Sequence, residues 1–379
     1  MKHEVFWKNP DYIIRPELKE NIECNYLIVG GGITGISAAY FLAKKGTKNI
    51  VLVEKNYIAS GATGQAAGTL VLRGETDLLD LIKEHGKEKA ERLWKEIKEE
   101  LELIKKVIKE EEIECEAEEQ DTLYCGAKRP EDDYLQKEYG AEKNLEPTTK
   151  FIEGEDFKKE LNTDIFHRGF VSAGHGLSVN PLKLTQNLSK IVEKKYGVKI
   201  YENTSFLEAK DNKAKTQYGI ISYKKLILAI DADHPSEQVQ KNKSTIIITR
   251  QLTKDELKKT GMEKRKIVFD DEQENNYFYF KVTKEERMLF GFGNFIVDKN
   301  HKEINPHLPH FQELENFIKK IFPYLDLQIE YAWSGSFGVT KNYEPLIEFK
   351  DNMVSISGAG TQIACFMAAK KVVDKITKE

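Results

Sequence analysis

The residues in this chain best placed to do chemistry are three that carry no side chain and one carboxylate. Gly30, Gly32 and Gly35 in "YLIVGGGITG" are spaced as G-x-G-x-x-G, and Glu54 follows about 20 positions after them. Gly30 permits the sharp turn out of a strand, Gly32 lets the backbone approach a pyrophosphate, and Gly35 lets a helix pack closely on a sheet. The first N–H groups of that helix face the phosphates. Glu54 accepts hydrogen bonds from both hydroxyls of an adenosine ribose, so the set predicts a dinucleotide site.

The elements that must hold these residues follow from the flanking pattern. Residues 26–43 carry no charged side chain and come close to the length of a membrane span. The glycines at 30, 31 and 32 argue against one, since each costs about 1 kcal/mol relative to alanine in a continuous helix. A strand over Tyr26–Val29 breaking at Gly30 uses all of them. A helix then carries Ile33, Ile36, Tyr40 and Ala43 at helical spacing until Lys44, Lys45 and Gly46. Ile50–Glu54 reads as the second strand. The helical face of Trp94, Ile97, Leu101, Ile104 and Ile108 reads as a cover over a sheet.

With 379 residues there is room for two domains, and 40% hydrophobic with 32% charged residues is a globular composition. A net charge of -4 gives no preference for nucleic acid or an anionic membrane. "MKHEVFWKNPDY" has no signal-peptide pattern, so a cytoplasmic protein without an integral membrane segment is expected. Cys24, Cys115, Cys125 and Cys365 form no CxxC pair, and neither a metal site nor a disulfide framework is expected.

The fingerprint alone does not separate NAD from FAD. "ASGATGQAAGTL", from Ala59, is a second run of small residues, too long for one turn. A flavin enzyme has a use for it, because backbone donors must follow a longer ligand from pyrophosphate to isoalloxazine. Together with "FWKNPDYIIRPELKENIECNYLIVGGGITGISAAYFLAKKG", "LSVNPLKLTQNL", "KKLILAIDA", "YAWSGSFGVTKNYEPLIEF" and "SISGAGTQIACFMAAKKV", it resembles the FAD-dependent D-amino-acid oxidase superfamily. Within the superfamily the chain is most similar to the glycine oxidase and gamma-glutamylputrescine oxidase branches.

The resemblance implies an α/β fold. A Rossmann-like (GR2-type) FAD domain of residues 1–80, 150–235 and 335–379 would be interleaved with an α+β substrate domain, 81–149 and 236–334, on an antiparallel sheet. It places Ala62, Thr63, Gly64 and Gln65 near the pyrophosphate and flavin, Ala67 and Gly68 under the ring, and a backbone group of Phe206 at the adenine. Gly358, Gly360, Thr361, Gln362 and Ile363 match the turn beside the pyrimidine side of the flavin. Ile33, Thr34, Lys55, Ala229 and Gly335 complete the implied cofactor set. No cysteine stands at the covalent flavin position near Ser336, so FAD is expected without a covalent link.

The implied reaction is removal of hydride from a carbon next to an amine, delivered to flavin N5, followed by hydrolysis of the imine. Tyr277 and Tyr279 in "NNYFYF" are candidate pocket walls; they alternate with Phe278 and Phe280, so one pair faces a core, and packing competes with a catalytic role. The arginine that grips the carboxylate in amino-acid-oxidising relatives is replaced by Phe337, which favours an amine or N-substituted amine. Arg250 is a candidate replacement cation or a surface ion pair. Leu289 falls where sarcosine-type oxidases carry an oxygen-activating lysine, so the acceptor is oxygen or another carrier. Gln65 and Gln362 also depart from the family pattern. His175 reads as a solvated loop residue, and Asp270 to Glu274 as a hairpin loop. The alternatives are a 2-hydroxy-acid dehydrogenase and a flavoprotein without turnover.

Overall fold

A computed structural model describes residues 1–73, 76–126, 134–270, 278–298 and 308–378. Two sheets organise the chain. The first runs in the order Leu346–Lys350, Met353–Ser357, Ile220–Leu228, Ile22–Val29, Ile50–Val53 and Lys199–Tyr201. Its central pairs are parallel, with Val29 opposite both Leu228 and Val53. Every residue of Ile50–Val53 is buried, as a parallel strand covered on both faces requires. Helix Ile33–Lys44 packs against helix Gln362–Ile376, with the rings of Phe41 and Phe366 4.9 Å apart. Helix Pro181–Lys194 lies beside them; Pro181 fits its first turn and Asn180 caps it by accepting from the Lys183 N–H at 3.1 Å.

The second sheet runs Ile329–Thr340, Val239–Gln251, Arg287–Ile296, Phe278–Val282, Lys266–Asp270, Glu118–Gly126, Arg168–Ser178 and Thr69–Val71. Period-two alternation decides its faces. Phe278 and Phe280 turn into a core with helix Leu308–Ile321, where Phe278 stacks on Phe317 at 4.1 Å. Tyr279 and Lys281 therefore face the other way, Tyr279 onto the cluster of Trp7, Ala67, Ile246 and Trp333 and Lys281 onto Gly68 and Ser178. Tyr277 lies outside the described residues, as do those from Asp271 to Glu274; Asp270 ends its strand. Helix Lys87–Glu110 buries Trp94, Leu101 and Ile104 in the core under the first sheet's helices, as its pattern predicts.

Thr69–Val71 and Arg168–Ser178 pair with each other in the second sheet. His175 is correspondingly a strand residue, not a solvated loop residue. Its imidazole is buried 3.3 Å from Glu146, and burial lowers its pKa. The neighbouring glycine marks a close approach rather than a loop: a Cβ on Gly176 would lie 2.9 Å from the Ile267 side chain. Removing the keystone ring of the second core, Phe317→Ala, is expected to cost about 3–5 kcal/mol in urea unfolding without moving the glycine turn.

Candidate cofactor and substrate site

The glycine turn is built by exclusion. Gly30 has φ 109°, and a Cβ there would fall 2.2 Å from the Ala229 carbonyl oxygen; one on Gly35 would fall 1.9 Å from that of Gly30. Strand, turn and helix can meet this closely only without side chains. Gly32 and Thr34 sit in the same turn and helix start. The buried Glu54 braces them, its carboxylate accepting from the Gly31 N–H at 2.7 Å and the Asn56 N–H at 2.9 Å.

A second strip faces this turn. Ala62–Gln65 is a single helical turn, and Thr63 Oγ1 accepts from the Ile33 N–H at 3.0 Å, tying it to the first helix. Beyond it, three side chains take three carbonyls of the strip from behind. Trp333 Nε1 donates to the Gln65 oxygen at 2.8 Å, Trp7 Nε1 to that of Ala66 at 2.8 Å, and Lys281 Nζ to that of Gly68 at 2.6 Å. The side chain of Gln65 accepts from the Ser336 N–H at 3.2 Å. Among the described residues, the N–H groups of Ala67 and Gly68 meet no protein acceptor.

The C-terminal turn closes the third side. Gly358 has φ 62°, the Gly360 N–H donates to the Gly338 oxygen at 2.9 Å, and Thr361 caps helix Gln362–Ile376 by accepting from the Ala364 N–H at 3.1 Å. Gln362 reaches Thr63 O at 3.5 Å while its Oε1 is buried without a partner. A buried orphan acceptor costs about 1–3 kcal/mol unless a ligand satisfies it. Orphan amide, unbonded N–H groups and a helix N-terminus converge on one space, so the donor set fits a long ligand with an amide-bearing ring.

That space is a cleft of about 1170 Å³ including its open mouth. It is walled by Ile33, Ala62, Thr63, Gln65, Ala67, Gly68, Gly335, Phe337, Gly360, Thr361, Gln362 and Ile363, and on the second sheet by Ser244, Ile246, Phe269 and Tyr279. Gly291, in register with Tyr279, leaves the room its ring occupies, since a Cβ there would lie 2.0 Å from the ring. Phe269 stacks on Tyr124 at 5.2 Å, and Tyr124 on Phe170 at 4.9 Å, so the aromatic wall is braced from behind. Among the described residues no arginine, lysine or histidine lines the cleft, and no cluster suited to a metal ion occurs.

Arg250, Lys55, Gly64 and Phe206 are not among the residues lining the cleft. Arg250 is not at the cleft: at the far end of its strand it forms a two-pronged pair with Glu256, at 3.1 and 2.6 Å, and bonds the Asp326 oxygen at 2.9 Å. Glu256 is taken up by this pair and by the capping box of helix Lys254–Thr260, which hold its pKa down at about 2. Lys55 turns to Asp233 at 2.6 Å. Phe206 packs with the cluster that contains Val53, one residue before Glu54, and Gly64, within the Ala62–Gln65 turn, backs on the Ala59 carbonyl.

The residue that sequence reasoning missed is Lys281. It is fully buried directly across the ladder from Leu289, bonds Gly68 O and Ser178 Oγ (2.8 Å), and lies 5.6 Å from the centre of the Trp7 ring. Desolvation lowers its pKa to about 7. Its signal was the period-two continuation of the strand, two residues after Tyr279.

The chain belongs to the DAO family of FAD dependent oxidoreductases, whose model matches residues 25–373. It is 23% identical to gamma-glutamylputrescine oxidoreductase of Escherichia coli (strain K12), over 95% of this chain and 85% of that protein. Its fold matches L-proline dehydrogenase from P. horikoshii with a TM-score of 0.77 at 20% identity, covering 96% and 94% of the two chains. It also matches glycine oxidase from Geobacillus kaustophilus with a TM-score of 0.77 at 16% identity, covering 94% and 95%. It is therefore an FAD-dependent oxidoreductase. Among the described residues, no helix is long and apolar enough to cross a membrane.

Because Arg250 is spent on Glu256 outside the cleft, Arg250→Gln is expected to leave substrate KM unchanged in steady-state assays. Thermal unfolding should show a loss of no more than about 1 kcal/mol.

Proposed function

We propose that the chain oxidises a small amine, primary or N-substituted, that carries no carboxylate on the reacting carbon. The bound FAD, held without a covalent link, supplies the hydride acceptor. The observation that carries the reading is Phe337 in a cleft wall where no described residue is a cation. A carboxylate buried there would lose its hydration with no partner, a cost of several kcal/mol. An amine that sheds its proton on entry fits the aromatic walls Phe269, Tyr279 and Phe337, because the same low polarity disfavours the ammonium. The chain's own part is to hold the C–H in reach and keep water out. The imine formed hydrolyses once released.

Lys281 supports oxygen as the electron acceptor. Sarcosine-type oxidases use a lysine beneath the flavin, and Lys281 stands behind Gly68, in the strip that the resemblance puts under the ring. An ammonium there stabilises the negative charge that oxygen acquires. Lys281, directly across the ladder from Leu289, supplies the cation that Leu289 lacks.

Anaerobic mixing with matched amines, α-amino acids and 2-hydroxy acids tests the substrate. Flavin bleaching is expected to be fastest with the amine of each matched set; a preference for either acid series would overturn the assignment. For the acceptor, Lys281→Met is expected to slow reoxidation of the reduced protein by oxygen by about 100-fold while changing anaerobic reduction only a few-fold. Equal reoxidation rates in both proteins would remove Lys281 from the mechanism.

A further inference from the structure

Among the described residues that line the cleft, Asp231 is the one carboxyl. Asp231 follows strand Ile220–Leu228 and opens a short turn through Asp233, with φ 47°, a value few residues other than glycine adopt. Its side chain accepts from the Gly338 N–H at 3.1 Å. A Cβ on Gly338 would lie 2.9 Å from Asp231 Oδ1, so glycine at that position is what admits the carboxyl. Two residues earlier, Ala229 is the backbone against which Gly30 closes. Asp231 thus lies between the glycine turn and the C-terminal turn, on the cofactor side of the cleft.

The charged groups facing it do not neutralise it. On its own turn Asp233 adds negative charge, and Asp233 itself engages Lys55 at 2.6 Å and Lys241 at 3.7 Å. On the adjoining strand Lys241, in register with Gly338, is the cation that acts on Asp231. The neighbouring walls at Ser336, Phe337, Gly360 and Gln362 carry no charge. A cofactor diphosphate brought into this space meets no cation among the lining residues described.

We propose that Asp231 meets bound FAD as a neutral carboxylic acid, so that the protein binds cofactor and proton together and loosens its hold on FAD as the pH rises. The proposal rests on the cleft being the FAD site. Burial already moves the carboxyl up to about 6 in the protein alone. An added anion raises it further, and by linkage the ligand then binds the protonated form more tightly. The sign is fixed. Affinity is full below the pKa of the free protein and falls above it, levelling off only above the pKa of the complex.

Dilution of the holoprotein at a series of pH values, with released FAD read by its fluorescence, tests this. The dissociation constant of the native protein is expected to weaken by about tenfold or more between about pH 5.5 and about pH 8.5, with a proton released with each FAD near neutrality. Asp231→Asn keeps an acceptor for the Gly338 N–H and should give a flat profile without proton release. Asp231→Gly, which suits the positive φ, should do the same and guards against a packing artefact of the amide. A flat or rising affinity in the native protein, or an undiminished slope in both variants, would overturn the role of Asp231 while leaving the FAD site standing. Failure to hold FAD at any pH would overturn both.

Discussion

The carbonyls of Gln65, Ala66 and Gly68 are held from behind by Trp333, Trp7 and Lys281, and the cleft depends on that grip. The three donors come from the N-terminal arm and from two strands of the second sheet, so the strip joins parts of the chain that are remote in sequence. A neutral hydrogen bond of this kind contributes about 1 kcal/mol net, and one from an ammonium about twice that. Their larger effect is directional. With its carbonyls taken, the strip offers its N–H groups to the cleft, where a ligand can accept from them.

The same grip explains a buried lysine without a buried carboxylate. Lys281 satisfies its ammonium with the Gly68 oxygen, the Ser178 hydroxyl and the face of Trp7, and burial makes the neutral amine accessible near neutral pH. Opposite it, the absence of cations among the described lining residues and the braced rings of Phe269 and Tyr279 give the cleft two unlike sides. One offers backbone donors, the other apolar aromatic surface. That division suits a flavin laid along the donor side.

How much of this was legible in the sequence depended on how local each cause was. Gly30 and Gly35 lie in one strand–turn–helix unit and Glu54 comes directly after the strand that follows it, so spacing alone exposed them. The alternation in "NNYFYF" showed that two faces existed, but which pair was buried depended on helix Leu308–Ile321, which no local pattern assigns to that strand. Lys281 was missed because its position is set by register with Leu289 and by the distant Gly68. Arg250 was readable in principle: "TKDE" just after it is a capping box that brings Glu256 within its reach. His175 was misread because glycine beside it signalled a loop when it marked close strand packing.

The most direct measurement of the central claim is a crystal structure of the protein with FAD. The account predicts an isoalloxazine lying along Gln65–Gly68, with Lys281 behind that strip, Gln362 within hydrogen-bonding distance of the ring, and Tyr279 and Phe337 bordering the open face above it. A flavin bound elsewhere, or a cleft in which Trp7 and Trp333 have released the strip and side chains fill the space, would contradict it.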